Sequence, residues 1–351
     1  VRHALASREE IDRVVDAAVR GRFQLLFVQI RGRGDAYYRS SIEPPANELA
    51  SSPEEFDPLQ YILARAHGAG ITVHAWVNVF YVWSDGDSSP PPGHVVSRHP
   101  EWLLVDAEGR RMDEVPIDSL RRNGAEGYFL SPYEGEVREY TASVVRDVAS
   151  RYDVDGIHLD YVRFPGSFYG YGVRARTRFA LRYGVDPLRL LRSREEVASI
   201  VGDDGAASLD DLFSEWRAAY VDSMVAALRE ASRGLPLSAA VVADPREAKR
   251  GKGQDWVRWV HEGLVDFVVL MAYNYRPDEL QKKIRYVKNV IGEESFLVGL
   301  PLFGGRARYL EGSVARLREE GVIGCSLFSH EQLIDNPFSI RFVRKVFFGE
   351  E

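Results

Sequence analysis

One alternation constrains this chain more than anything else in it. Seven short apolar runs, starting near Phe23, Ile71, Asp155, Leu237, Asp266, Phe296 and Val322, are separated by segments of helical periodicity. Strands that strictly alternate with helices lie parallel and are joined by crossover helices. Val1 to Leu5 reads as the tail of one more strand. Eight such units predict an α/β fold, a closed (β/α)8 TIM barrel. The runner-up is a doubly wound open sheet. That fold wants a Gly-rich phosphate turn after an early strand, and "GRGDAY" at Gly32 to Tyr37 has neither the G-x-G-x-x-G spacing nor a helix behind it.

Two excursions interrupt the alternation. Residues 81–131 are irregular and contain "SSPPPG" and "EWLLVD". A segment this long without clear pattern reads as an inserted loop or lid after the third strand. Residues 166–207 are rich in Arg and Gly and read as a second excursion with short helices. The whole, 1–351, is expected to be a single barrel.

The totals exclude several function classes. The chain of 351 residues carries a net charge of −7 without a basic cluster suited to a phosphate backbone, so nucleic acid is not an expected partner. No run reaches the ~18 apolar residues of a membrane span. A single cysteine, Cys325, rules out an internal disulfide and a cysteine zinc cage. The chain opens at Val1 without Met and without a leader pattern, as a trimmed or mature form would.

Side chains on a strand alternate between faces, and in a barrel one face meets the helices and the other the axis. Within "YDVDGIHLDYVRFP", Tyr152 to Pro165, this sends His158 and Asp160 to the axis. Applied to the other runs, it sends Gln29, Arg31, His74, Trp76, Asn78, Ser238, Asp244, Met271 and Tyr273 the same way. These polar groups gather at C-terminal strand ends, where barrel enzymes carry their chemistry. Asp160 and Asp244 end neighbouring strands. Two carboxylates over one pocket suit glycoside hydrolysis, with Asp160 as general acid and Asp244 as base or electrostatic partner. Candidate sugar contacts are Arg31, Asp35, His74, Trp76, Asn78, Trp83, His158, Arg163, Tyr273 and Asn274. Plainer readings stand beside these: packing for the aromatic residues, a carboxylate partner for Arg31, a supporting role for His158. Asp155, at the start of its strand, reads as a cap on backbone amides. No H-x-H or H-E-x-x-H spacing supports a metal, so neither metal nor cofactor is expected.

The segments "FVQIRGRGDAYYRSS", "DPLQYILARAHGAGITVHAWVNVF", "YDVDGIHLDYVRFP", "SAAVVAD", "GQDWVRWVHEGLVDFVVLMAYN" and "GLPLF" resemble glycosyl-hydrolase-like family 10, in order from about Val1 to Phe303. The resemblance implies a bacterial, usually exported (β/α)8 hydrolase acting on a polysaccharide. More distantly the chain is similar to family 18 chitinases, whose D-G-x-D-x-D-x-E motif is met here by Asp155, Gly156, His158 and Asp160. Val162 stands where the chitinase proton donor would be, so that mechanism does not transfer. Met271 and Tyr273 match the chitinase M-x-Y. Asp160 is also placed like the acid in the hydrolase domain of bacterial poly-N-acetylglucosamine deacetylases. That likeness implies an amino-sugar polymer whose acetamido group can serve as nucleophile. Two other classes compete: a non-catalytic glycan-binding barrel, favoured by the missing Glu, and a metal-dependent carbohydrate deacetylase.

Overall fold

The computed structural model describes residues 4–53, 55–86, 88–303, 305–334 and 337–350. Among the described residues, seven parallel strands form one sheet: β1 (Leu25–Arg31), β2 (Thr72–Asn78), β5 (Gly156–Asp160), β6 (Leu237–Val242), β7 (Phe267–Met271), β8 (Phe296–Pro301) and β9 (Cys325–Phe328). They pair in chain order, β1-β2-β5-β6-β7-β8-β9. A separate antiparallel pair, β3 (Tyr81–Trp83) with β4 (Tyr128–Phe129), lies in the excursion between β2 and β5.

The helices, in chain order, are α1 (Arg8–Arg20), α2 (Pro58–Gly68), α3 (Val95–Arg98), α4 (Ile117–Arg122), α5 (Gly135–Arg151), α6 (Val173–Tyr183), α7 (Pro187–Arg192), α8 (Arg194–Ala231), α9 (Pro245–Lys252), α10 (Trp256–His261), α11 (Pro277–Ile291), α12 (Leu310–Glu319), α13 (Glu331–Ile334) and α14 (Pro337–Phe348). Their starts follow local chemistry. Ser7 caps α1 by accepting the Glu10 amide, and Asp57 caps α2 ahead of Pro58. Residues 166–207, expected as a loop excursion with short helices, hold α6, α7 and the start of α8. At Gly202 the backbone of α8 leaves helical geometry with φ +77°, a region open to glycine.

Three strand-end expectations change. β6 stops at Val242, and Asp244 serves as the N-cap of α9. β7 stops at Met271, which leaves Tyr273 and Asn274 in the following loop. In the strand expected over Val1 to Leu5, Val1 to His3 lie outside the described residues, and Ala4 and Leu5 form a turn.

The pleat of β2 sorts its side chains as alternation requires. Val73, Ala75 and Val77 are fully buried, and Trp76 on the other face borders a cavity. All five residues of β5 are buried, as expected of a strand at the centre of a parallel sheet. At its start, Asp155 accepts the Val73 amide at 2.7 Å and contacts His67 Nε2 at 2.9 Å, which locks β2, α2 and β5 in register. Gly156 has no room for a side chain, because a Cβ there would stand 2.6 Å from the His74 ring. This close approach lets a histidine from β2 fill the sheet interior beneath the site.

Candidate active site

A cavity of about 610 Å³ runs from the C-terminal ends of the strands down beside β1 and β9. That volume is typical of small-ligand sites. Its two ends differ. One carries Trp76, Glu126, His158, Asp160, Arg163 and Tyr273; toward the start of β1 the wall is apolar, with Ala18, Phe23 and Leu25.

Asp160 is the last residue of β5 and is only 9% exposed. Its Oδ1 accepts the Tyr161 amide at 2.7 Å. Among the described residues no cation lies within 4 Å of this carboxylate. Burial therefore dominates and pushes its pKa up to about 6. Arg163 and the Tyr161 amide pull it down, and Glu126 pushes it up further. A carboxyl group with this affinity can hold a proton near neutral pH and release it to a reacting group.

The backbone turns sharply after Asp160. Tyr161 sits at φ +51°, a left-handed conformation costing a bulky residue roughly 1–3 kcal/mol. Its ring is held by the β3–β4 pair, stacked on Tyr81 at 4.6 Å and set edge-on to Phe129 at 5.8 Å. The excursion thus supports the turn that aims the Tyr161 amide at Asp160.

Among the described residues, the same excursion delivers the second carboxylate of the cavity. Glu126 lies just ahead of β4, its side chain 45% exposed, and its oxygen pairs with Arg163 Nη2 at 2.9 Å. Its neighbour Gly127 is pressed on the hairpin backbone, where a Cβ would stand 2.0 Å from the Trp83 carbonyl oxygen. Arg163 is buried, lies over the Tyr161 ring at 4.8 Å, and keeps its Nε without a hydrogen-bond partner.

Below Asp160, His158 places Nδ1 2.9 Å from Ser238 Oγ and packs on Phe27 at 4.2 Å. Burial, with a smaller push from His74, lowers its pKa to about 3. It is neutral at any ordinary pH. His74 is also shifted down by burial, against the pull of Asp155 and Asp266. Asn78 does not line the cavity; it accepts Trp76 Nε1 at 2.9 Å and donates to the Gly32 carbonyl at 2.7 Å. It thereby fixes the indole at the rim. Trp76 and Tyr273 both pack on Phe328, at 6.1 and 5.6 Å, and the three rings give the cavity an aromatic wall.

Of the residues expected at a sugar site, the fold brings Asp160, His158, Trp76, Arg163 and Tyr273 to the cavity. It takes the others elsewhere. Asp244 accepts the Arg246 and Glu247 amides and the Lys283 ammonium, far enough out to line none of the cavity. Burial would raise its pKa, but Lys283 and the helix amides outweigh this and hold it below the usual range. Arg31 is enclosed by Glu43, and Asp35 accepts the Arg33 amide and guanidinium. Trp83 is buried under the Arg33 guanidinium, and Asn274 is exposed in the loop after β7. Glu126 escaped sequence reasoning because it stands in the turn-rich "NGAEGYF", without strand or helix periodicity. Its only signal was a carboxylate between two glycines. Among the described residues no group of three His, Cys, Asp or Glu is placed to hold a metal ion.

The chain is similar to known structures in fold and to known proteins in sequence. The fold is similar to that of α-L-fucosidase isoenzyme 2 from Paenibacillus thiaminolyticus, with a TM-score of 0.60 and 16% identity over 97% of this chain and 45% of that one. It is also similar to a β-galactosidase from the psychrophilic Marinomonas ef1, with a TM-score of 0.56 and 16% identity over 92% of this chain and 52% of that one. At such identities the likeness is one of fold. Among curated proteins, glycosyl hydrolase DigH of Escherichia coli K12 is 29% identical over 158 residues, 40% of this chain and 32% of its own length. Glycosyl hydrolase YngK of Bacillus subtilis is 20% identical over 373 residues, 95% of this chain and 65% of its own length. The chain thus spans 32% of the first of these relatives and 65% of the second. The family model described as glycosyl hydrolase-like 10 matches residues 5–290, and the chain belongs to that family.

Proposed function

We propose that the protein hydrolyses a glycosidic bond within a polysaccharide, with Asp160 as the general acid. The observation that carries this reading is a buried carboxyl, pKa about 6, on the wall of a cavity flanked by aromatic rings. Asp160 gives its proton to the glycosidic oxygen as the bond from that oxygen to the anomeric carbon breaks. Water adds to the carbon, and its proton passes to Glu126, a second carboxylate on the cavity. Trp76 and Tyr273 offer faces to the sugar C–H surface, and Arg163 holds Glu126 in place. The relatives named glycosyl hydrolase agree with this chemistry. An amino-sugar polymer is the substrate class we favour, met outside the cytoplasm by an exported enzyme. The same reading completes the fold as a (β/α)8 barrel: an eighth strand in the seam between β1 and β9, and residues 81–131 as an inserted lid over the site.

The test is turnover by the wild type and by Asp160→Asn on a panel of bacterial glycans, with reducing ends counted. The proposal expects cleavage by the wild type and none above background by the variant. Undiminished cleavage by Asp160→Asn would remove the acid from the scheme. Oligosaccharide binding with no product from the wild type would make the barrel a glycan-binding module.

A further inference from the structure

Residues 173–194 contain seven arginines and a single acidic residue, Asp186, a net of +6 in a chain whose total is −7. The charge is organised by α6. Its buried face carries Ala175 and Phe179. Its exposed face carries two parallel rows at helical spacing of four: Arg174, Arg178 and Arg182 in one, Val173, Thr177 and Leu181 in the other. Arg176 is already committed to Asp186, and Arg194 to Asp210. The outer row is less engaged. Arg174 reaches Glu134 only at 3.5 Å with its side chain 76% exposed, and Arg178 bonds the Tyr133 carbonyl at 3.2 Å. Among the described residues no carboxylate pairs with Arg178, Arg182 or Arg189.

Like charges on one helix face repel and destabilise it, so an unneutralised row of this kind points to a ligand of opposite sign. Guanidinium groups favour carboxylates and phosphates, which they bind with two parallel hydrogen bonds. The face also lies on the segment that leaves the C-terminal end of β5, the strand end that carries Asp160, and packing through the interior ties it to the cavity wall. Arg178 holds the backbone of Tyr133, the Tyr133 ring packs on Phe164 at 5.4 Å, and Phe164 follows Arg163 of the cavity wall. We propose that the outer face of α6, with Arg189 of α7, binds an anionic polysaccharide whose chain continues from the cavity. Val173 and Leu181, 75% and 83% exposed, would also suit an anionic lipid surface. Two aliphatic side chains on a helix whose apolar face is already buried give little to insert, and the place of α6 directly after the site end of β5 favours the polymer. The surface is independent of which residue performs catalysis.

The experiment measures binding of polygalacturonate to the full chain at 50 and 200 mM salt. Uncharged dextran and phosphatidylglycerol vesicles serve as comparison probes. Arg174→Gln/Arg182→Gln is made alongside the triple variant that adds Arg178→Gln, since Arg178 also ties α6 to Tyr133. Binding of polygalacturonate that weakens at least tenfold in the double variant, and again with added salt, bears the proposal out. Equal binding by wild type and double variant overturns it, as does binding to the vesicles but not to the polymer. Far-UV circular dichroism and melting temperature, unchanged in the double variant, tie the loss to the surface. Turnover of a short neutral substrate reports on the active-site reading separately.

Discussion

β1 and β5 stand two places apart in the sheet, and each ends in a buried charge. The two are accommodated in opposite ways. Arg31 meets Glu43 through Nε at 2.8 Å and Nη2 at 2.7 Å, and donates to the Asn78 and Val79 carbonyls. Glu43 in turn accepts the Tyr140 hydroxyl at 2.8 Å. Neither side chain of the ion pair has any exposed surface. Asp160 has one backbone amide, no cation within ion-pair distance among the described residues, and a cavity beside it. A buried charge matched by its counter-ion holds loops together. One left short of partners beside a cavity is held in a state that a substrate can relieve.

The largest effects expected are at Asp160. Asp160→Asn should lower turnover about 10³-fold, within the range for loss of a general acid. It should also make the protein more stable at pH 7. The native pKa of about 6 lies above the ordinary 3.8, so between these values the folded state binds more protons than the unfolded state. Stability therefore falls as pH rises through that window, and at pH 7 the charged form carries a penalty of up to about 3 kcal/mol. Asparagine removes it. Urea unfolding of both proteins at pH 4 and pH 7 checks this. A variant that loses activity and stability together would place Asp160 with Arg31, as scaffold.

Arg31→Met should do the reverse. It leaves Glu43 buried without its cation, at a cost of about 3–5 kcal/mol, while turnover per folded molecule should change only slightly. Denaturation midpoints and active-site titration separate the two effects. A variant of normal stability that fails in turnover would bring Arg31 into the site.

Glu126 tests whether the cavity needs both carboxylates. Glu126→Gln should slow turnover about 10- to 100-fold. It also removes a negative charge that favours the protonated Asp160. The alkaline limb of kcat/KM, set by loss of the Asp160 proton, should therefore move to lower pH. A pH–rate profile shows it. A limb that stays in place would mean that Glu126 does not sense Asp160 and serves only to pair with Arg163.

Much of this was legible in the sequence, and the failures have physical causes. The seven strands and their order follow from short apolar runs that alternate with helical segments. Alternation along β5 put His158 and Asp160 on one face, because a strand's period is insensitive to what surrounds it. Arg31 and Asp155 found the partners their plainer readings called for. What the sequence did not disclose was where β6 and β7 stop. β6 was read two residues too long, since the apolar run through Ala243 does not distinguish a strand end from the start of a helix. Asp-Pro at 244 and 245 is itself a helix-start signal. Glu126 depends on a contact between Gly127 and Trp83 across the β3–β4 pair, which no local pattern encodes.

Asp244 gives the smallest expected effect and the closest check on the contrast between paired and unpaired carboxylates. By sequence it was the partner of Asp160; in the fold it closes the first turn of α9 and binds Lys283. Asparagine is as good an N-cap as aspartate, so Asp244→Asn keeps the amide contacts and removes only the charge. The partly exposed Lys283 pair is then lost, at a cost of about 1 kcal/mol. Asp244→Ala removes the cap as well and should cost about 1–2 kcal/mol. Because the native pKa of Asp244 is lowered, its contribution is present at neutral pH and disappears as pH falls through the carboxylate range. The difference between wild type and Asp244→Asn should therefore vanish in acid, while turnover stays unchanged at every pH. A collapse in turnover of Asp244→Asn with its melting temperature intact would mean that the bound substrate draws α9 toward the cavity, and Glu126 would lose its place as the second carboxylate.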